Sequence, residues 1–147
     1  YPLDLMQEVI SKLAVNQDQT ILLFGGGKKE TELLDAFAKP FGNVINVAGK
    51  IKFTQELQLI SNLDVMLSMD SGNAHIAAML GVKVITLWGA THPYAGFSPF
   101  NQPIENASVA DRNLFPKLPT SVCGNKKVEG YEDAMRTILP EEVVAKL

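Results

Sequence analysis

Apolar residues along this chain follow two alternating rhythms. Over residues 4–14, Leu5, Met6, Val9, Ile10 and Leu13 recur three and four apart, the spacing of one helical face, and Asp4 stands where an N-cap is expected. Residues 20–24 then form a short apolar run that stops at Gly25, Gly26 and Gly27, the pattern of a parallel strand buried on both faces. The cycle recurs as a helix over 30–38, a strand over 44–47, a helix over 54–61 with Thr54 as its cap, a strand over 64–69, a helix over 73–80 closed by Gly81, and a strand over 83–88. Crossovers of roughly 10 to 15 residues suit parallel strands, so the pattern predicts an α/β fold with a doubly wound, Rossmann-like parallel sheet.

Beyond Gly89 the rhythm loosens. Residues 91–100 read as a long loop, 107–110 as a fifth strand, 116–127 as a second loop, and 131–138 and 140–147 as two terminal helices, the second with Pro140 in its first turn. Neither internal repeats nor low-complexity tracts interrupt the chain. It reads as a single domain over residues 1–147. Because it opens at Tyr1 and Pro2 and runs directly into a helical pattern, it is read as a piece of a longer protein.

Composition narrows the picture. A chain of 147 residues, 46% of them hydrophobic, is enough for one well-formed core. Its 13 Lys and Arg against 16 Asp and Glu give a net charge of -3, without the basic excess that a nucleic-acid backbone demands. The single cysteine, Cys123, forms no internal disulfide and no Cys/His cluster suggests zinc, so a reducing, cytoplasmic setting is the expectation. The longest apolar stretch, residues 74–90, is broken by Gly81 and Lys83 and falls short of the ~20 residues of a membrane span.

Candidate chemistry gathers on one rim. In an open parallel sheet, ligands bind beyond the carboxyl ends of the strands, and here those ends carry Gly25-Gly26-Gly27-Lys28, Ala48-Gly49-Lys50, Asp70-Ser71-Gly72-Asn73 and Gly89-Ala90-Thr91-His92. The sharpest segment runs from Asp70 to His75, a strand end turning straight into a helix. Free N–H groups of the helix's first turn would suit a pyrophosphate, and His75 would point back toward them. The alternative is that Asp70 or Ser71 simply caps the helix and His75 is a core residue; spacing alone favours neither. Gly25-Gly26-Gly27 is neither GxGxxG nor a Walker loop, and a tight turn is its better reading, with Lys28 and Lys29 as solvated charges. Thr91 and His92 should overhang the same cleft, although Tyr94, Phe97 and Phe100 suit packing of that loop onto the domain. No general base is evident: either Asp70 serves or the base lies on other sequence.

The run Asp70-Ser71-Gly72-Asn73-Ala74-His75-Ile76-Ala77, continuing through Gly81-Val82-Lys83-Val84-Ile85 to Gly89-Ala90-Thr91, resembles the D-[ST]-G-x-x-H-x-A, G-x-P-x-[IV] and G-x-T segments of glycosyltransferase family nine, the ADP-heptose:lipopolysaccharide heptosyltransferases. Weaker similarity extends to the Tyr1-Pro2 helix start, the Leu22 to Gly26 strand and turn, the Gly49-Lys50 loop and the tail from Met135. Lys83 stands where many relatives have proline. The resemblance implies the C-terminal half of a two-domain GT-B enzyme that inverts the anomeric centre without a required metal or other cofactor. In that half, Ser71, Gly72 and His75 would hold the diphosphate of a sugar nucleotide such as ADP-heptose, and Asp70 would position the sugar. Thr91 would line the cleft, with Gly49 and Lys50 near the nucleoside; Asn73 and His92 remain candidates from their positions in the helix's first turn and the following loop. An N-terminal half would supply the catalytic carboxylate and the lipid-linked glycan acceptor site. A competing reading is a non-catalytic nucleotide-binding module of the same fold. A phosphoacceptor regulator would need acids at the end of the first strand, where Phe24 is followed only by glycines.

Overall fold

The computed structural model describes residues 1–121 and 129–147, so Cys123 and the end of the second predicted loop lie outside the described residues. Helix α1 (Leu3–Ala14) leads to β1 (Ile21–Leu23), α2 (Lys28–Ala38), β2 (Val44–Asn46), α3 (Phe53–Ile60), β3 (Val65–Ser68), α4 (Gly72–Met79), β4 (Lys83–Trp88), β5 (Ala107–Val109) and α5 (Pro140–Val144). The predicted alternation and fold class hold. All described strand pairs are parallel, in two ladders: β1 beside β2, with Ile21 opposite Val44, and β3–β4–β5, with Val65 opposite Lys83 and Thr86 opposite Ala107.

Side chains join the two ladders into one body. On α1, Ile10 packs with Leu23, Phe37 and Val44 against the first ladder, while its neighbour Val9 packs with Leu87, Ile138 and Val143 against the second. Phe24, just past β1, reaches the cluster of Ile60, Met66 and Val84. Strand β4 is the most enclosed element, buried from Val84 through Trp88, and the small residues Ala74, Ala77 and Ala78 bring α4 close against it. Inside this core the Trp88 indole N–H donates to Thr86 Oγ1 at 2.7 Å, so neither polar group is stranded.

Three local expectations change. Helix α1 starts after Pro2, whose carbonyl accepts the Met6 N–H at 2.9 Å, and Asp4 sits inside the first turn. Its carboxylate takes two bonds from the Arg136 guanidinium, at 2.8 and 3.1 Å, in place of capping the helix. Helix α3 starts one residue before Thr54, and it is the Lys52 N–H that is satisfied, by Gln55 Oε1 at 2.9 Å. The helix predicted over 131–138 is a turn followed by a 3-10 turn at Ala134–Thr137. Pro140 pushes Leu139 into an extended conformation, ψ 143°, which separates that turn from α5. Thr137 completes the break by donating to Ala134 O at 2.7 Å and accepting the Asp111 N–H at 2.8 Å.

This last segment folds back over the C-terminal end of β4. A Cβ on Gly89 would lie 2.5 Å from Met135 Cγ and 2.8 Å from its sulfur, closer than real Cβ contacts come. Gly89 is therefore the notch into which Met135 fits. Gly89→Ala is expected to destabilise the protein by about 1–3 kcal/mol through overpacking. In a Met135→Ala background the same substitution should cost much less; urea unfolding of the four proteins checks the coupling.

Candidate functional site

The rim at the carboxyl ends of the strands is built unequally from one strand end to the next. At the end of β1, the Gly26 N–H donates to Glu30 Oε2 at 2.7 Å, and a Cβ on Gly25 would meet the same carboxylate and Leu34. The glycine loop thus wraps one of the chain's own acids and acts as a tight turn. At the end of β2, buried Asn46 donates to Thr31 O at 3.0 Å and Asp35 Oδ1 at 2.9 Å, and Lys50 Nζ lies 2.6 Å from the same Asp35 oxygen. The Lys50 ammonium first, then Asn46, holds the Asp35 carboxyl below its usual range. Gly49 turns this corner with φ +68°, a conformation that favours glycine.

The end of β3 is different. Ser71 occupies the N-cap position of α4, yet its hydroxyl makes no cap bond; it lies 2.8 Å from the hydroxyl of buried Ser68. The first-turn N–H groups of α4 therefore have no side-chain acceptor, which leaves the positive end of the helix open to an anion. Asp70, half-buried beside it, has no hydrogen bond or ion pair among the described residues. His75 is exposed on the first turn of α4, not sealed in the core, and Asn73 is half-buried.

Beyond β4, Thr91 is only 7% exposed, and its hydroxyl has no hydrogen-bond partner among the described residues. His92 Nδ1 accepts the Tyr94 N–H at 3.2 Å, and its ring packs against Tyr94 with centroids 4.6 Å apart. Burial, and secondarily Arg112, push the His92 pKa below its ordinary value of 6.5. It is a neutral cap of its own 3-10 turn near neutral pH.

A cleft of about 620 Å³ opens here, lined by Asp70, Ser71 and Thr91 from the strand ends and by residues 131–136 from the returning tail. Of the residues read from sequence, the structure brings Asp70, Ser71 and Thr91 together in this cleft. Gly72, Asn73 and His75 follow Ser71 in the first turn of α4 without lining the cleft themselves, and Gly49, Lys50 and His92 do not line it either. The cleft also holds residues that sequence reasoning missed: Thr120, Glu132, Asp133 and Arg136. Only a long-range return of the chain places them, and no local pattern signals such a return. Among the described residues no group of three His, Cys, Asp or Glu is arranged to hold a metal ion.

The family profile described as glycosyltransferase family 9 (heptosyltransferase) matches residues 1–127, most of the chain. The chain belongs to glycosyltransferase family 9. Among curated relatives of this family 9 chain, lipooligosaccharide heptosyltransferase 2 of Haemophilus influenzae is 28% identical over 142 residues, covering 94% of this chain and 39% of the relative. The lipopolysaccharide core heptosyltransferase OpsX of the same organism is 34% identical over 105 residues, 69% of this chain and 30% of the relative. The family 9 chain thus spans well under half the length of these relatives. Two solved structures share its fold. A family 9 glycosyl transferase from Veillonella parvula has TM-score 0.69 at 18% identity, over 99% of this chain and 40% of its own. E. coli heptosyltransferase WaaC, solved with ADP, has TM-score 0.62 at 23% identity, over 86% of this chain and 36% of its own.

The depressed pKa of His92 gives a signed pH effect. Between its folded value and 6.5 the unfolded chain binds more protons than the folded one, so this residue's contribution to stability is present above 6.5 and is lost as pH falls through that window. NMR titration of the family 9 chain should show His92 titrating below 6.5, and Arg112→Gln should move it upward. A His92 pKa unmoved by that change would remove the assigned role of Arg112.

Proposed function

We propose that this chain is the sugar-nucleotide-binding half of an inverting heptosyltransferase of lipopolysaccharide core assembly, with an ADP-heptose-like donor. The observation that carries this reading is the uncapped N-terminus of α4, with Ser71 turned toward Ser68, opening on the cleft that Asp70 and Thr91 share. The heptosyltransferase relatives support the reaction class, and the ADP in the WaaC structure supports the nucleotide.

The residues divide the work by chemistry. The N–H groups of Gly72 and Asn73 point at the diphosphate, and the helix dipole favours its charge. His75, on the same turn, donates to a phosphate oxygen, and the Thr91 hydroxyl gives a further bond from the opposite side. Asp70, unpaired, accepts from a sugar hydroxyl. Gly49 and Lys50, at the end of β2, lie toward the nucleoside end.

In the transfer, an acceptor hydroxyl attacks the anomeric carbon as the bond to the diphosphate breaks, inverting the centre. The electron pair and the developing charge pass to the phosphate that α4 faces, where fixed N–H donors stabilise the transition state. The base that takes the acceptor proton is assigned to none of these residues. It belongs, with the lipid-linked glycan acceptor site, to an N-terminal half.

No helix among the described residues is long and apolar enough to cross a membrane. We place the reaction on the cytoplasmic side, where any membrane contact comes through the acceptor half.

Calorimetric titration with ADP, UDP and ADP-heptose tests the donor site. Binding selective for the two ADP forms, weakened about tenfold by His75→Ala, is the expected result, since one hydrogen bond to a charged group is worth roughly that much. Equal binding of UDP, or a folded protein that binds none of the three, would contradict the assignment.

A further inference from the structure

The returning tail gives the cleft a second wall whose chemistry is opposite to that of α4. Residues 131–137 are pinned through four side chains. The Tyr131 ring meets Phe115 edge-on at 5.2 Å, and its hydroxyl accepts the Lys117 N–H at 3.1 Å. Met135 fills the Gly89 notch, Arg136 makes its two bonds to Asp4, and Thr137 bridges Ala134 and Asp111. A segment held this firmly presents its remaining side chains in a fixed place.

Glu132 is the side chain left over. It lines the cleft, is exposed, and has no hydrogen bond or ion pair among the described residues, whereas its neighbour Asp133 is bonded to Arg136 Nε at 3.2 Å. Asp70 stands in the same cleft, equally unpaired, on the strand-end wall. Glu132 and Asp70 are thus two carboxylates of the cleft that are free to accept hydrogen bonds. An independent sign that the cleft takes a hydrogen-bonding ligand is Thr91, nine-tenths buried, whose hydroxyl has no hydrogen-bond partner among the described residues.

The first turn of α4 offers free N–H donors to a phosphate, whereas on the tail the one cation, Arg136, is engaged by Asp4 and Asp133 and Glu132 offers only acceptors, so the donor's diphosphate belongs at the N-terminus of α4. A polyhydroxylated ring has the opposite preference. It offers several O–H donors, and ionised carboxylates accept them in short, charge-assisted bonds.

We propose that Glu132 binds hydroxyl groups of the donor's glycosyl ring, so that the segment 131–136 is the wall that recognises the sugar while α4 holds the diphosphate. This rests on the donor-binding reading above and adds to it a specificity residue outside the Asp70 to Thr91 motifs. Because the wall is pinned by Tyr131, Met135 and Arg136, exchanging the exposed Glu132 leaves the fold intact.

The test compares ADP with ADP-heptose by calorimetry on the wild type, Glu132→Gln and Glu132→Ala. The wild type's binding of ADP reports the underlying reading by itself. Given that binding, both variants should keep the wild-type affinity for ADP and lose about tenfold in affinity for ADP-heptose, the scale of one charge-assisted bond. Glutamine, which keeps an acceptor oxygen, should lose less than alanine. Tighter binding of ADP by Glu132→Gln would mean that the carboxylate faces the diphosphate, and would overturn the proposal. Unchanged affinity for both ligands would overturn it too. Circular dichroism of each variant confirms that the fold is intact.

Discussion

Strand β4 is exposed only at Lys83: five consecutive residues, Val84 to Trp88, are buried, and the elements around them are placed by that demand. Side chains of a strand alternate between faces, so a continuous apolar run needs cover on both. The alanines of α4 supply one cover together with Ile60 and Met66, and Val9 of α1 with Ile138 and Val143 supply the other. Parallel pairing with β3 and β5 then aligns the carboxyl ends of all three strands. The cleft follows from that alignment, because the helix covering β4 must begin where β3 stops.

The same constraint decides which part of the rim is available. Close packing of α4 through small residues fixes its first turn beside Asp70, and the bond between Ser68 and Ser71 removes the one hydroxyl that would otherwise cap it. At the ends of β1 and β2 the chain satisfies its own polar groups, with Glu30 on the glycine loop and Asp35 between Asn46 and Lys50. Among the described residues, the strand ends leave without side-chain partners the first turn of α4 and the hydroxyl of Thr91, a residue only 7% exposed. The tail segment 131–136 meets that position from the other side of the cleft.

Much of this was legible in the sequence, for local reasons. The period-3.6 face of α1 and the apolar runs of β1 and β4 are set by neighbours within a few residues, and they were read correctly in kind and order. The motif from Asp70 to Thr91 lies on adjacent strand ends, so it was also legible as one rim. What failed was set by distant partners. Asp4 has the chemistry of a cap, but Arg136, far along the chain, takes its carboxylate. Residues 131–138 look helical until Pro140, Thr137 and the Gly89 notch are considered together. Glu132 reaches the cleft only through that return, and Thr120 through the bond its N–H donates to Ala90 O; no local periodicity encodes either. Gly49 and Lys50 follow the end of β2, as the sequence pattern has them, but Asp35 ties Lys50 in a way that pattern does not reveal.

The central claim is that the open first turn of α4 is where a nucleoside diphosphate is held. Backbone amide NMR on adding ADP tests it without altering a residue. The account predicts that the largest shifts fall on the amides of Ser71, Gly72, Asn73 and Ala74, with Thr91 next, and that Gly25, Gly26 and Gly27 stay nearly still. Shifts concentrated on that glycine loop, with the start of α4 unmoved, would contradict it.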